Sequence, residues 1–166
     1  MPHEQFFRKS IRLKEYDYAT NGAYFITVCT KGRASILSEI CNVGEGLCAL
    51  PSVKLTDAGA IVEQSIAYMH TSMNGISVDR YVIMPNHIHL LISLFGNPDA
   101  GGHGGPPLHK IIGQFKSYTT HRCGRPIWQR SYYDHIVRGE QDYREIWEYI
   151  ETNPLRWRDD ELYSAT

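Results

Sequence analysis

Two histidines one residue apart, His87 and His89, open the apolar run Met84-Pro85-Asn86-His87-Ile88-His89-Leu90-Leu91-Ile92. A short run rich in Ile and Leu and entered through Pro-Asn predicts a β-strand, whose period of two puts both imidazoles on one face. Ile88, Leu90 and Ile92 then face the other way. Imidazoles so placed can grip one divalent ion, while Ile88 anchors the strand from behind. The same spacing suits two partly buried histidines with hydrogen-bonded ring nitrogens, and a His-x-His by itself does not choose between the two.

A second position stands out near the C-terminus. From Gln141 to about Asn153, the side chains Tyr143, Ile146, Trp147 and Ile150 recur at helical spacing and define a buried stripe. At about 100° per residue, Tyr149 falls roughly 110° from the centre of that stripe, with Asn153 one turn beyond it on the same side. Tyr118, on the preceding helix, lies roughly 70° off its own stripe and can fill the core with its ring. Of the 11 tyrosines, Tyr149 is therefore the one without a packing role. Pro154 disfavours helical dihedrals at Asn153, so the helix ends there and the amide can reach across to a neighbouring strand.

These residues need a frame. Residues 22–30 are dense in β-branched and aromatic side chains and bounded by Asn21-Gly22 and Lys31-Gly32, which predicts a central strand. Between Ile36 and Lys54, Gly44, Gly46 and Pro51 break any long period and leave room for a short hairpin. Thr56 is a plausible N-cap for a helix with Ala58, Ile61, Val62, Ile66 and Met69 on its core face. Residues 75–83 alternate and should pair as a hairpin with the histidine strand. The stretch 96–107 holds too much Gly and Pro to pack, reads as a mobile loop and spacer, and matches no phosphate-cradling pattern. Leu108, Ile111, Ile112 and Phe115 mark the next helix, with Lys110, Lys116, Arg122 and Arg125 on or near its exposed side. In the segment that follows, Trp128 reads as packing, while Tyr132 and Tyr133 beside Gln129 and Arg130 suit either packing or base stacking.

The 166 residues fit one domain, 1–166, large enough for a core without staples. Seventeen basic residues nearly balance eighteen acidic ones, so a nucleic-acid partner must be met by a local patch. One such patch is the N-terminal Arg8-Lys9-Ser10-Ile11-Arg12-Leu13-Lys14, which also fits a solvated edge segment. Four cysteines without a Cys-x-x-Cys pair, and charged opening residues in place of a signal peptide, point to the cytoplasm. No apolar stretch approaches the roughly 20 residues of a membrane helix.

Taken together, Arg8 to Leu13, Gly22 to Thr27, Met84 to His89, Phe115-Lys116-Ser117-Tyr118, Ile127 to Tyr133 and Tyr149-Ile150-Glu151-Thr152-Asn153-Pro154 resemble, in order, the segments of the single-domain HUH tyrosine transposases. The resemblance is to their REP-associated branch, which processes repetitive extragenic palindromes. It implies an α+β fold, a ferredoxin-like antiparallel sheet with packed helices. It also implies that His87, His89 and Asn153 hold one Mg²⁺ or Mn²⁺ and that Tyr149 is the nucleophile. Related insertion-sequence enzymes carry Gln where this chain has Asn153.

The implied activity is metal-dependent nicking and joining of single-stranded hairpin DNA through a 5′-phosphotyrosine. Arg8, Lys9, Arg12, Lys116, Arg122, Gln129 and Arg130 are the expected DNA contacts. The tyrosine needs its proton removed; His109, His121 and His135 are candidate bases by residue type alone. The branch is thought to act as monomers, and a monomer without a membrane partner is expected here. Two other readings fit the same residues: a hairpin-DNA-binding module without turnover, and a ferredoxin-like RNA-binding domain.

Overall fold

The run of β-branched and aromatic residues that predicts a central strand is realised as β1, Gly22–Cys29, in a computed structural model that describes residues 21–42, 51–95 and 107–163. β2 (Ser38–Asn42) and β3 (Pro51–Leu55) form the expected hairpin as a separate two-stranded sheet. They are followed by α1 (Asp57–Ser72), the paired strands β4 (Ile76–Ile83) and β5 (His87–Leu94), and α2 (Leu108–Arg122). The chain then forms β6 (Tyr133–Ile136) and α3 (Gly139–Thr152), and a 3-10 helix at Asn153–Asp159 is the last helix among the described residues.

The main sheet is antiparallel, in the order β4-β5-β1-β6. Strand–helix–strand crossovers that skip over an intervening strand are the split pattern of the ferredoxin-like fold, so the predicted α+β class is borne out. The helices form two layers. α1 and α2 cover one sheet face, where Ile26, Val28, Ile88, Leu90 and Ile92 meet Val62, Ile66, Ile111 and Phe115. α3 covers the other, packing Ile146 and Ile150 on Phe25, Val82 and Leu91.

Thr56 caps α1 as predicted, accepting a hydrogen bond from the Gly59 amide at 3.1 Å. The buried stripe of α1 is rotated from the expected one: Gly59 and Ser65 lie inside, whereas Ala58 and Ile61 are only half-buried. Leu37 explains the shift. Its carbonyl oxygen comes within 2.0 Å of where a Cβ on residue 59 would stand, so only glycine admits this approach of helix to chain.

Tyr118 departs from expectation. Its ring is 47% exposed and stacks on Tyr68 at 6.2 Å, with the Arg122 guanidinium 5.8 Å from its centroid. The core it could have entered is already filled by Phe115 and Trp128, whose indole N–H donates to Thr119 Oγ1 at 2.7 Å.

A β-bulge decides how α3 is held. Between Val78 and Arg80 the register with β5 slips by one, so the neighbours Asp79 and Arg80 both address the α3 side. The Asp79 carboxylate accepts hydrogen bonds from Ser77, Ser93 and Tyr143 of α3, the last at 3.0 Å. Burial and that carboxylate push the Tyr143 phenol up to about 12. Arg80 pairs with Glu151 at 2.9 Å and lies 5.2 Å from the Trp147 ring centroid.

Candidate metal and tyrosine site

β5 presents His87 and His89 to the α3 side, as its period of two requires, and both are fully buried. Across the sheet His89 lies between Val82 on β4 and Thr27 on β1, and His87 pairs with Cys29. Their Nε2 atoms are 3.1 Å apart.

The outer nitrogens are anchored. Asn86 donates its Nδ2 to the Leu162 carbonyl at 2.7 Å, which turns its Oδ1 toward His87 Nδ1 at 2.8 Å. His87 Nδ1 must then carry the proton, leaving a lone pair on Nε2. Thr27 Oγ1 stands 2.8 Å from His89 Nδ1 and can fix that ring in the same tautomer. Burial drives both imidazoles toward the neutral form: His87 is held well below the usual histidine range, and His89 is lowered to about 3. Two lone pairs converging at this distance invite a cation. Ligands at right angles around an ion with bonds of about 2.1 Å would stand about 3 Å apart.

The third donor is one that the sequence motif does not mark. After α3 the 3-10 helix turns the chain back, so that a carboxylate oxygen of Asp160 joins the two imidazoles, with all three ligand atoms within 4.8 Å of one another. Asp160 accepts from the Leu162 amide at 2.7 Å and from Asn153 Nδ2 at 3.2 Å, and burial raises its pKa. Asn153 is buried where α3 gives way to the 3-10 helix; contrary to the expectation from Pro154 it keeps helical dihedrals (φ −55°, ψ −42°), the proline fitting into the first turn of the 3-10 helix, and its Oδ1 is buried without a hydrogen-bond partner. A bound cation would satisfy such an oxygen. Nothing in the sequence separates Asp160 from its neighbours Asp159 and Glu161, and no local motif couples Thr27 to His89; the fold alone joins them.

Tyr149 is half-buried above the pair. Its ring lies 5.3 Å from His89 and 5.9 Å from Phe25, and its hydroxyl is 3.5 Å from His89 Nε2. Burial first, then the charge of Asp160, raise its pKa far above the ordinary tyrosine value, while Asn153 and Arg156 oppose the shift.

The other predicted residues are more scattered. Lys116 is committed internally, donating to the Gln129 and Arg130 carbonyls at 2.6 and 2.9 Å. Gln129 donates its backbone N–H to the Cys29 carbonyl at 2.9 Å, and Arg130 is exposed. Arg122 is exposed on the α1–α2 layer, away from the histidines, and contacts Gln64 at 3.2 Å. His109 and His121 are exposed on that same layer, and His135 is paired with Asp142 at 2.9 Å. Arg8, Lys9 and Arg12, and residues 96–106 of the Gly/Pro-rich loop, lie outside the described residues.

Fold and site together define an antiparallel α+β domain with a tyrosine-bearing helix docked over a buried His-x-His strand. No protein-family model matches the chain. An uncharacterized protein of Haemophilus influenzae is 33% identical over 177 residues, spanning 94% of this chain and 93% of that protein, and the chain belongs to one family with it. A REP-associated tyrosine transposase of Escherichia coli is 31% identical over 80 residues, covering 48% of this chain and 44% of its own length. Among solved structures, a REP-associated tyrosine transposase bound to a REP hairpin shares the fold, with a TM-score of 0.58 at 23% identity over 81% of this chain and 67% of that one. The resemblance read from the motifs is thus met in both sequence and fold.

Proposed function

We propose that this protein nicks and rejoins single-stranded DNA at hairpin-forming sites through a 5′-phosphotyrosine on Tyr149. The observation that carries the reading is the placement of the Tyr149 hydroxyl 3.5 Å from an imidazole nitrogen that itself faces a second imidazole and a carboxylate. The relatives named transposases, one of them bound to a REP hairpin, support a hairpin-DNA substrate.

His87, His89 and Asp160 would hold one Mg²⁺ or Mn²⁺, with Asn153 Oδ1 as a further oxygen donor. The mixed nitrogen and oxygen set, all neutral or anionic, fits such an ion. The ion would supply positive charge to the non-bridging oxygens of the scissile phosphate. Tyr149 Oη attacks phosphorus, the bond to the 3′-oxygen breaks, the phenolic proton leaves, and the departing 3′-oxygen gains a proton. Attack by a 3′-hydroxyl reverses the step and reseals the strand. Thr27 and Asn86 keep the imidazoles oriented throughout.

Arg122, Gln129 and Arg130, with Arg8, Lys9 and Arg12, are the proposed DNA contacts, and Lys116 serves by holding the 129–130 segment. The Asp79 and Arg80 contacts keep α3 on its own sheet, which supports a monomer that uses its own tyrosine. A cytoplasmic location goes with this reading.

The test is a denaturing gel of the protein with a labelled hairpin oligonucleotide and Mn²⁺. Wild type and Tyr118→Phe should form a covalent adduct, and Tyr149→Phe should bind the hairpin and form none. An adduct that survives Tyr149→Phe and vanishes in Tyr118→Phe would reverse the assignment.

A further inference from the structure

One face of α3 looks toward β6. Asp142 and Tyr149, seven residues apart, share that face at a separation of about 10 Å along the helix. Asp142 reaches β6 directly, its carboxylate 2.9 Å from His135 Nε2, and it also accepts from the Arg138 amide at 2.7 Å. On β6, Tyr133 lies two residues before His135, on the same sheet face and about 7 Å along the strand. His135 pairs with Phe25 of β1, and Tyr133 with Thr27, which in turn pairs with His89 of β5. The step from His135 to Tyr133 thus runs toward the histidine row, in the same sense as the step from Asp142 to Tyr149.

Phe25 joins the two tyrosines. Its ring is stacked on His89 at 5.1 Å and meets Tyr149 and Tyr133 edge-on, at 5.9 and 6.5 Å. Because β1 lies between β5 and β6, Tyr133 approaches Phe25 from the side opposite His89. Two strand spacings, about 10 Å, separate the backbone of Tyr133 from that of His89. Tyr133 is therefore too distant to share the attack, yet within reach of a base joined to the phosphate that Tyr149 attacks. β6 is the edge strand of the sheet, and Tyr133 is only half-buried there, whereas Phe25 and Thr27 beside it are buried.

We propose that Tyr133 is a positioning residue that stacks on a base of the DNA strand next to the phosphodiester presented to Tyr149. The assignment rests on the DNA-nicking reading above and adds the path of the strand, between α3 and the β6 edge. Aromatic rings along a strand-binding surface hold single-stranded nucleic acid by stacking, and every base offers a π face, so the contact anchors the strand without choosing its sequence. A base anchored on Tyr133 keeps the neighbouring phosphate from sliding past the Tyr149 hydroxyl, which shortens the search for the attacking geometry.

The experiment uses hairpin oligonucleotides with single-stranded flanks in which 2-aminopurine, whose fluorescence is quenched by stacking, replaces one flank nucleotide at a time. It compares wild type with Tyr133→Leu, which keeps an apolar group against Phe25, and with Tyr133→Phe, which keeps the ring. Tyr81→Ala controls for the loss of an exposed ring, since Tyr81 stands on β4 and its hydroxyl reaches Glu63 of α1. Tyr133→Leu should brighten the bound probe at one position, a nucleotide adjoining the bond that is cut, and lower kcat/KM for cleavage by about tenfold. Tyr133→Phe and Tyr81→Ala should match wild type in both readouts. No brightening at any flank position in Tyr133→Leu, or equal brightening at all of them, would overturn the assignment whatever the rate, because a residue that only braces Phe25 slows the reaction without touching a base. Loss of the covalent adduct in Tyr133→Phe would overturn it too, by showing that the hydroxyl acts and not the ring. Should wild type bind the hairpin without cutting it, the nicking reading alone falls, and the fluorescence difference between wild type and Tyr133→Leu still decides the stacking.

Discussion

His89 sits with no exposure at all between Thr27 and Val82, and burial holds its pKa at about 3. The unfolded histidine titrates near 6.5, so below that pH the unfolded chain takes up a proton that the folded one refuses. Stability from this group is full above about 6.5 and falls as pH drops toward the folded value. Between pH 7.5 and 5 the loss should be about 2 kcal/mol for His89 alone, with His87 adding in the same direction. Urea unfolding of chelator-treated protein at the two pH values would show it, and His89→Gln should flatten the difference. A profile already flat in wild type would mean that the imidazoles are open to water.

The elements hold that pair through a few contacts that can be cut one at a time. Gly59 lets α1 settle against the Leu37 carbonyl, and a methyl group there would overlap the oxygen. Gly59→Ala should therefore cost about 3 kcal/mol, with α1 and the β2–β3 hairpin displaced together; a midpoint of urea unfolding equal to wild type would show that the helix shifts freely. On the other layer, Asp79 collects three hydroxyls, so Asp79→Ala strands half-buried donors, whereas Tyr143→Phe removes only one of them. Tyr143→Phe should cost about 1 kcal/mol and Asp79→Ala more. Both should loosen α3 and slow adduct formation at Tyr149, and in a hydrogen-exchange experiment the α3 amides should open before those of β5.

At the scale of the whole molecule, the proposed ion would tie β5 to the segment beyond α3 through His87, His89, Asp160 and Asn153. A ligand that binds only the folded chain stabilises it by mass action, about 2.7 kcal/mol at a hundredfold excess over Kd. Mn²⁺ should raise the thermal midpoint by several degrees in wild type and in Tyr149→Phe, and a chelator should reverse it. His87→Ala and Asp160→Ala should lose the response. A response kept by Asp160→Ala and lost in Asn153→Ala would return the third ligand to the helix-end amide.

Periodicity made much of this legible in the chain itself. The strand period put His87 and His89 on one face, the helical period left Tyr149 outside its stripe, and the spacing of apolar residues laid out strands and helices in order. These are local properties, set by backbone geometry over a few residues. What the chain did not show depends on segments far apart in sequence. The bulge at Asp79 turns two neighbours to one side, Leu37 rotates α1 onto Gly59, and a filled core leaves Tyr118 at the surface. Asp160 reaches the histidines only because the chain folds back after α3, and Thr27 meets His89 across 62 residues. Such contacts are decided when surfaces dock, by volume, hydrogen-bond satisfaction and charge, and no run of neighbouring residues carries their imprint.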